Sequence, residues 1–130
     1  MSRVRTGGRP EALAHLDKAQ EFLKAARAAL DAGWHNATAS SAVSAGINAK
    51  DALCLAVAGR TTAADDHRLA VAELRALGLA AVEPGNALDR LLGLKDRAQY
   101  DRRSVGASEA HAAVRRATTL VDAAELALRP

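Results

Sequence analysis

Apolar positions recur along this chain at steps of three and four, and the recurrence stops at a few glycines and prolines. From Pro10, Ala12, Leu16, Ala19, Leu23, Ala26 and Leu30 alternate steps of four and three until Gly33. That spacing predicts an amphipathic helix with a heptad seam, opened by a proline suited to the first turn and closed by a glycine suited to the left-handed conformation beyond a helix end. A second helix is predicted from Trp34 to Ala58, ending at Gly59. Its small residues Ala42, Ala45, Ala49, Ala52 and Ala56, flanked by Val43, Ile47, Leu53, Cys54 and Val57, spread apolar surface over more than half its circumference, so it is the central, most buried element. Ser40, Ser41, Ser44, Asn48, Lys50 and Asp51 occupy the remaining strip, left for water, a partner or internal hydrogen bonds, and Asn48 and Lys50-Asp51 read as a solvated edge rather than a site.

Gly59-Arg60-Thr61-Thr62 reads as a turn, and a third, short helix is predicted from Asp65, whose carboxylate suits a cap, through Leu69, Leu74 and Leu77 to Gly78. Glu83-Pro84-Gly85-Asn86 reads as another turn before a fourth helix that faces Leu88, Leu91 and Leu92 inward. The last helix, Ala107 to Leu128, repeats the seam of the first with Ala110, Val114, Ala117, Val121, Ala124 and Leu128, and two matching seams suggest mutual packing. Residues 1–9, with Gly7-Gly8 and no apolar periodicity, read as a flexible N-terminus, and 10–130 as a single domain. The expected fold is all-α: an up-down bundle of four to five antiparallel helices.

Composition narrows the core and the compartment. The 33 Ala and 17 Leu favour helix, and with Phe22, Trp34 and Tyr100 as the only aromatics the core is aliphatic. Eighteen Lys and Arg against fifteen Asp and Glu leave a net charge of +3, which permits nucleic acid without requiring it. The lone Cys54 excludes an internal disulfide and reads as a small buried hydrophobe. No uninterrupted apolar run is long enough to span a bilayer and Met1 to Pro10 carries no apolar signal region, so neither membrane insertion nor export is expected, and the cytoplasm is.

Candidate chemistry is sparse. His15, His35, His67 and His111 fall on four different elements, with no Cys/His pairing of metal-site spacing, and no nucleophile elbow, phosphate-binding glycine loop or paired-carboxylate pattern occurs. No metal or cofactor is expected, and Asp65-Asp66-His67 reads as acids in a helix's first turn. One stretch stands apart: Lys95-Asp96-Arg97-Ala98-Gln99-Tyr100, followed by Asp101-Arg102-Arg103, where cations cluster beside the only tyrosine. Lys95, Asp96, Arg97, Tyr100, Arg102 and Arg103 are the candidate ligand-binding residues. In a continuous helix Lys95 and Tyr100 are offset by about 140° around the axis, so they meet one ligand only if the helix bends near Ala98.

The run Ala42-Val43-Ser44-Ala45-Gly46-Ile47-Asn48-Ala49-Lys50-Asp51-Ala52-Leu53-Cys54 resembles the second helix of HEPN domains. Asp66-His67 resembles the loop histidine that often opens their third helix. Leu94-Lys95-Asp96-Arg97-Ala98-Gln99-Tyr100 is similar to the Leu-Arg-Asn-x-Ala-Asp-Tyr ending of their fourth, and the resemblance, closest to short actinobacterial members, covers residues 10 to 128. It implies a helical bundle that commonly pairs as a dimer. Active members are metal-independent ribonucleases, often toxins, that use Arg, then four to six residues, then His on the fourth helix. Here Lys95 stands at the Arg position and Tyr100 at the His position. Lysine lacks the planar fork that grips phosphate, and tyrosine, with its pKa near 10, is a poor proton shuttle at neutral pH.

The leading expectation is therefore a non-catalytic HEPN-like homodimer that binds nucleic acid, a nucleotide or a protein partner, as part of a toxin–antitoxin or defence system. The alternative is a divergent metal-independent ribonuclease toxin, for which Arg60 and His67, separated by six residues, are the better-placed catalytic pair; Arg9 and His15 share similar spacing. A third reading makes the chain an antitoxin-like partner, of a nucleotidyltransferase for example, through the small-residue face of the second helix. Dimerisation is expected because that helix's apolar arc exceeds what a few short neighbours cover.

Overall fold

The computed structural model describes residues 3–63, 65–100 and 102–130; the side chains of Gln99 and Tyr100 lie outside the described residues. Five helices make up most of it: α1 (Arg9–Asp31), α2 (His35–Ala58), α3 (His67–Arg75), α4 (Val82–Tyr100) and α5 (Ala107–Ala127). Two three-residue strands, β1 (Val4–Thr6) and β2 (Arg60–Thr62), pair antiparallel, with Arg5 opposite Thr61. The all-α helical bundle expected from the pattern is the fold observed.

The long helices run alternately up and down, with α2 at the centre. It packs most extensively on α1 and α5, and α4 covers a third side. Ala42, Ala45, Ala49 and Ala52 have no exposed surface, so neighbouring backbones come close. A tight approach is at Gly46, where a Cβ would stand 2.6 Å from Leu91 Cδ1 and 3.2 Å from Leu120 Cδ1, so a larger residue there has to displace Leu91 of α4 and crowds Leu120 of α5. Leu74, Leu88, Leu91, Leu92 and Leu120 fill the spaces between helices and are almost wholly buried, each stabilising the fold by about 1.5–3 kcal/mol. Most of the apolar arc of α2 is thus covered by its own chain, while Val57 is 57% exposed and Ile47 and Ala56 are partly buried.

The seams of α1 and α5 serve chiefly to hold α2 rather than each other. Direct α1–α5 contacts include three hydrogen bonds along the border: Arg9 Nη2 donates to the Leu128 carbonyl at 2.6 Å, Gln20 Nε2 to Glu125 Oε1 at 3.1 Å and Arg27 Nη2 to Thr118 Oγ1 at 3.2 Å. On α1 the buried row ends at Ala29 rather than Leu30. Leu30 keeps the angular position of the seam but, at the helix end, is only partly covered and packs against the edge of the core.

Four local expectations are corrected. Residues 3–8 are not a loose start: β1 is paired, and the ladder extends from Gly7 N–H to the Gly59 carbonyl at 3.1 Å and from Ala63 N–H to the Arg3 carbonyl at 3.0 Å. The stretch 60–62, read as a turn, is β2, because the β-branched Thr61 and Thr62 extend directly after Gly59 ends α2 at φ +70°. The 83–86 turn is the first part of α4, where Pro84 falls in the opening turn and its missing N–H costs no helical bond. Asp66 rather than Asp65 caps α3, accepting from Leu69 N–H at 3.1 Å. Among the described residues no helix is long and apolar enough to cross a membrane.

Candidate functional site

Three consecutive residues of α4, expected to form one constellation, face three different neighbours, since each step along a helix turns 100°. Lys95 lines a groove against α2. Asp96 reaches α3, its Oδ2 lying 3.1 Å from His67 Nδ1. Arg97 reaches α5, with Nη1 3.5 Å from Glu109 Oε2. Arg97 and Arg103 come together around a pocket of about 370 Å³ bordered by Val105 and Glu109. Arg102 is exposed beyond the end of α4. The side chain of Tyr100 lies outside the described residues, although α4 continues through its backbone as helix, so its position and that of Lys95 are offset around the axis.

Arg97 belongs to a larger group that the sequence pattern did not single out. Arg90, two turns earlier on α4, shares its face, and Arg115 and Arg116 come up on the antiparallel α5. The Arg116 guanidinium is held below its ordinary pKa, first by partial burial and then by the charges of Arg90, Arg115 and Arg97. Four cations therefore crowd one face of a molecule whose net charge is only +3. The signal was hidden because Arg90 and Arg115-Arg116 lie 25 residues apart and each looks like an ordinary helix surface.

His67, the other candidate, sits in an acidic setting. Its Nε2 is 2.8 Å from Asp89 Oδ1 and its Nδ1 is 3.1 Å from Asp96 Oδ2. Burial alone would lower its pKa, but the hydrogen bonds from Asp96 and Asp89 outweigh that and raise it. With a carboxylate beside each ring nitrogen the charged form of the imidazole is favoured, and both nitrogens are occupied. Arg60, its expected catalytic partner, stands exposed on β2 opposite Thr6 and is not among the groups bonded to His67.

The densest polar cluster is one that was read as a solvated edge. Lys50 is completely buried and Asp51 nearly so. The Lys50 ammonium donates to the Thr62 carbonyl at 2.6 Å and to Thr61 Oγ1 at 2.8 Å, with Glu73 Oε1 at 2.9 Å and Asp51 Oδ1 at 3.4 Å. Thr61 Oγ1 donates onward to Asp51 at 2.7 Å, Thr62 N–H to Glu73 Oε1 at 2.8 Å, and the Thr62 hydroxyl to Glu73 Oε2. Burial would raise the Glu73 pKa, yet the bonds from the Thr62 hydroxyl, Lys50 and the Thr62 amide bring it down to about 2. Cys54 lies beside this cluster, and burial, only partly countered by Lys50, pushes its thiol up to about 12, so it is an inert thiol. Every acceptor around Lys50 comes from α2, β2 or α3, so the cluster fastens the β-ribbon and α3 to the central helix.

Among the described residues no group of three or more His, Cys, Asp and Glu side chains is arranged to hold a metal ion. Comparison with protein-family models finds none that matches the chain, and no curated protein matches it in sequence.

Proposed function

We propose that this chain is a non-cleaving, HEPN-like helical bundle that binds RNA through the arginine face of α4 and α5. The observation that carries the reading is the gathering of Arg90, Arg97 and Arg115 around Arg116, whose charges add to partial burial in holding that guanidinium below its ordinary pKa. Like charges gathered on one face are unfavourable in the free protein and are relieved by a polyanion, whose phosphates displace counterions as they bind. Guanidinium groups also grip phosphate oxygens in pairs. The order of helices and the fourth-helix ending support the HEPN resemblance, while Lys95 and Tyr100 at the catalytic positions, and a His67 occupied on both nitrogens, argue against cleavage.

The test is titration of the full chain into a labelled single-stranded RNA at several salt concentrations, in EDTA, with the Arg115→Ala/Arg116→Ala variant alongside. Affinity falls with salt, and in the variant the slope of log K against log salt becomes shallower by about 1.4, the change for two lost phosphate contacts on a single strand. An unchanged slope, or equal binding to a DNA of the same sequence, overturns the reading. RNA fragments appearing in EDTA replace it with the ribonuclease reading.

A further inference from the structure

Beyond the close contact of Gly46 with Leu91, the small side chains of Ala39 on α2 and Ala98 on α4 leave space between the two helices. A groove of about 580 Å³ opens there, within the size range of small-molecule sites. Val105, tied to α2 by its N–H to Asn36 Oδ1 at 2.9 Å, stands at the end of the groove nearest the start of α2.

The lining is divided by chemistry along the helical repeat. On α2, Ala39, Val43 and Ile47 follow one another at four-residue steps and present an apolar row, to which Leu94 of α4 adds. One position later in each turn, Ser40 and Ser44 continue a second, polar row from Asn36. Lys95 stands on the α4 side, exposed, and among the described residues it has neither an ion pair nor a hydrogen bond; the hydroxyls of Ser40 and Ser44 are likewise without a partner. Among the described residues the only formal charge lining the groove is thus a single ammonium. It is a single point charge, which one carboxylate balances, beside a wall that is otherwise apolar or hydroxylic.

We propose that this groove binds an amphipathic carboxylate of medium-chain fatty-acid size, its apolar body against Val43, Ile47 and Leu94, its carboxylate on Lys95, and the serine hydroxyls as further donors along the opposite wall. The site is separate from the arginine face and does not depend on the RNA reading.

Octanoate, kept below its micellar concentration, is the probe, with 1-octanol as its uncharged counterpart, and binding to the full chain is followed by calorimetry and by ¹H–¹⁵N chemical shifts. Octanoate binds saturably and shifts the amides of 39–47 and 94–98. Lys95→Gln weakens octanoate at least tenfold and leaves octanol unchanged. Ala98→Leu, a substitution at an exposed position of α4 that keeps the helix, fills the groove and removes both, with circular dichroism showing the helical content retained. The absence of saturable octanoate binding, affinity unaltered in Ala98→Leu, or an equal loss in Arg97→Gln, which faces the adjoining pocket, overturns the proposal.

Discussion

The short helix α3 is fastened at both ends by a cation flanked by two carboxylates, and the two fastenings differ almost solely in their access to water. At its C-terminal end Glu73 joins Asp51 around Lys50, whose side chain has no exposed surface. At its N-terminal end His67 bridges Asp89 and Asp96, whose side chains are 50% and 57% exposed. Coulombic attraction between buried charges is many times stronger than across water, but only when each charge is also hydrogen-bonded, because desolvation otherwise exceeds the gain. The Lys50 cluster meets that condition with two threonines supplying a carbonyl, two hydroxyls and an amide. The His67 bridge keeps its acids in solvent and gains little from them. One arrangement is therefore a fixed joint and the other a loose, titratable latch.

Removing the cation from the joint gives the largest expected effect. Lys50→Met nearly conserves volume but leaves Asp51 and Glu73 buried without their counter-charge, a loss of about 3–5 kcal/mol. A urea titration reads this as a lowered midpoint. Adding Glu73→Gln to Lys50→Met removes one stranded charge and recovers part of it. Amide exchange sharpens the contrast: a two-stranded ribbon is marginal alone, so the amides of Thr62 and Ala63, protected by Glu73 and Arg3, open first in Lys50→Met. A loss under about 1 kcal/mol would put the joint in the class of surface pairs and erase the distinction.

The same contrast explains what could be read from sequence and what could not. The long helices were legible because Ala and Leu at steps of three and four leave few alternatives, and Gly33 and Gly59 mark their ends. Lys50 was misread because charge was given more weight than position. It lies four residues after the buried Gly46 and four before the buried Cys54, so helical geometry alone puts it on the inward arc. What could not be read was its company, since Thr61, Thr62 and Glu73 meet it only through the tertiary fold. The 95–97 stretch failed the other way: adjacency in sequence suggested one site, whereas successive helical residues diverge. Asp96 and His67, considered for separate roles, turned out to be bonded to each other.

A smaller effect separates the two fastenings under acid. Glu73 is held at about 2 against an ordinary value of 4.5. As pH falls through 4.5 the unfolded chain takes up a proton that the folded chain refuses, so the stability this carboxylate contributes is complete above that point and drains away down to about pH 2. Denaturation midpoints measured across that window decline in the native chain. They decline less in Glu73→Gln, which has no such proton to bind.

The smallest effect has the opposite sign and belongs to the latch. The folded-state pKa of His67 is raised because its hydrogen bonds to Asp96 and Asp89 outweigh the desolvation that would lower it. Its contribution is therefore fully present below the ordinary value of 6.5 and is lost as pH rises through the higher folded value. Exposed acids and solvent screening keep it within about 1 kcal/mol, so the decisive reading is the ring itself. The His67 Cε1 proton titrates with a midpoint above 6.5 in the native chain, and Asp89→Asn/Asp96→Asn brings that midpoint down, with the urea midpoint at pH 5.5 lowered only slightly. If the double substitution unfolded the protein as severely as Lys50→Met, the latch would be a second joint. If it left the ring's titration unmoved, the two aspartates would not be what holds the charge, and the structural likeness between the two ends of α3 would carry no shared physics.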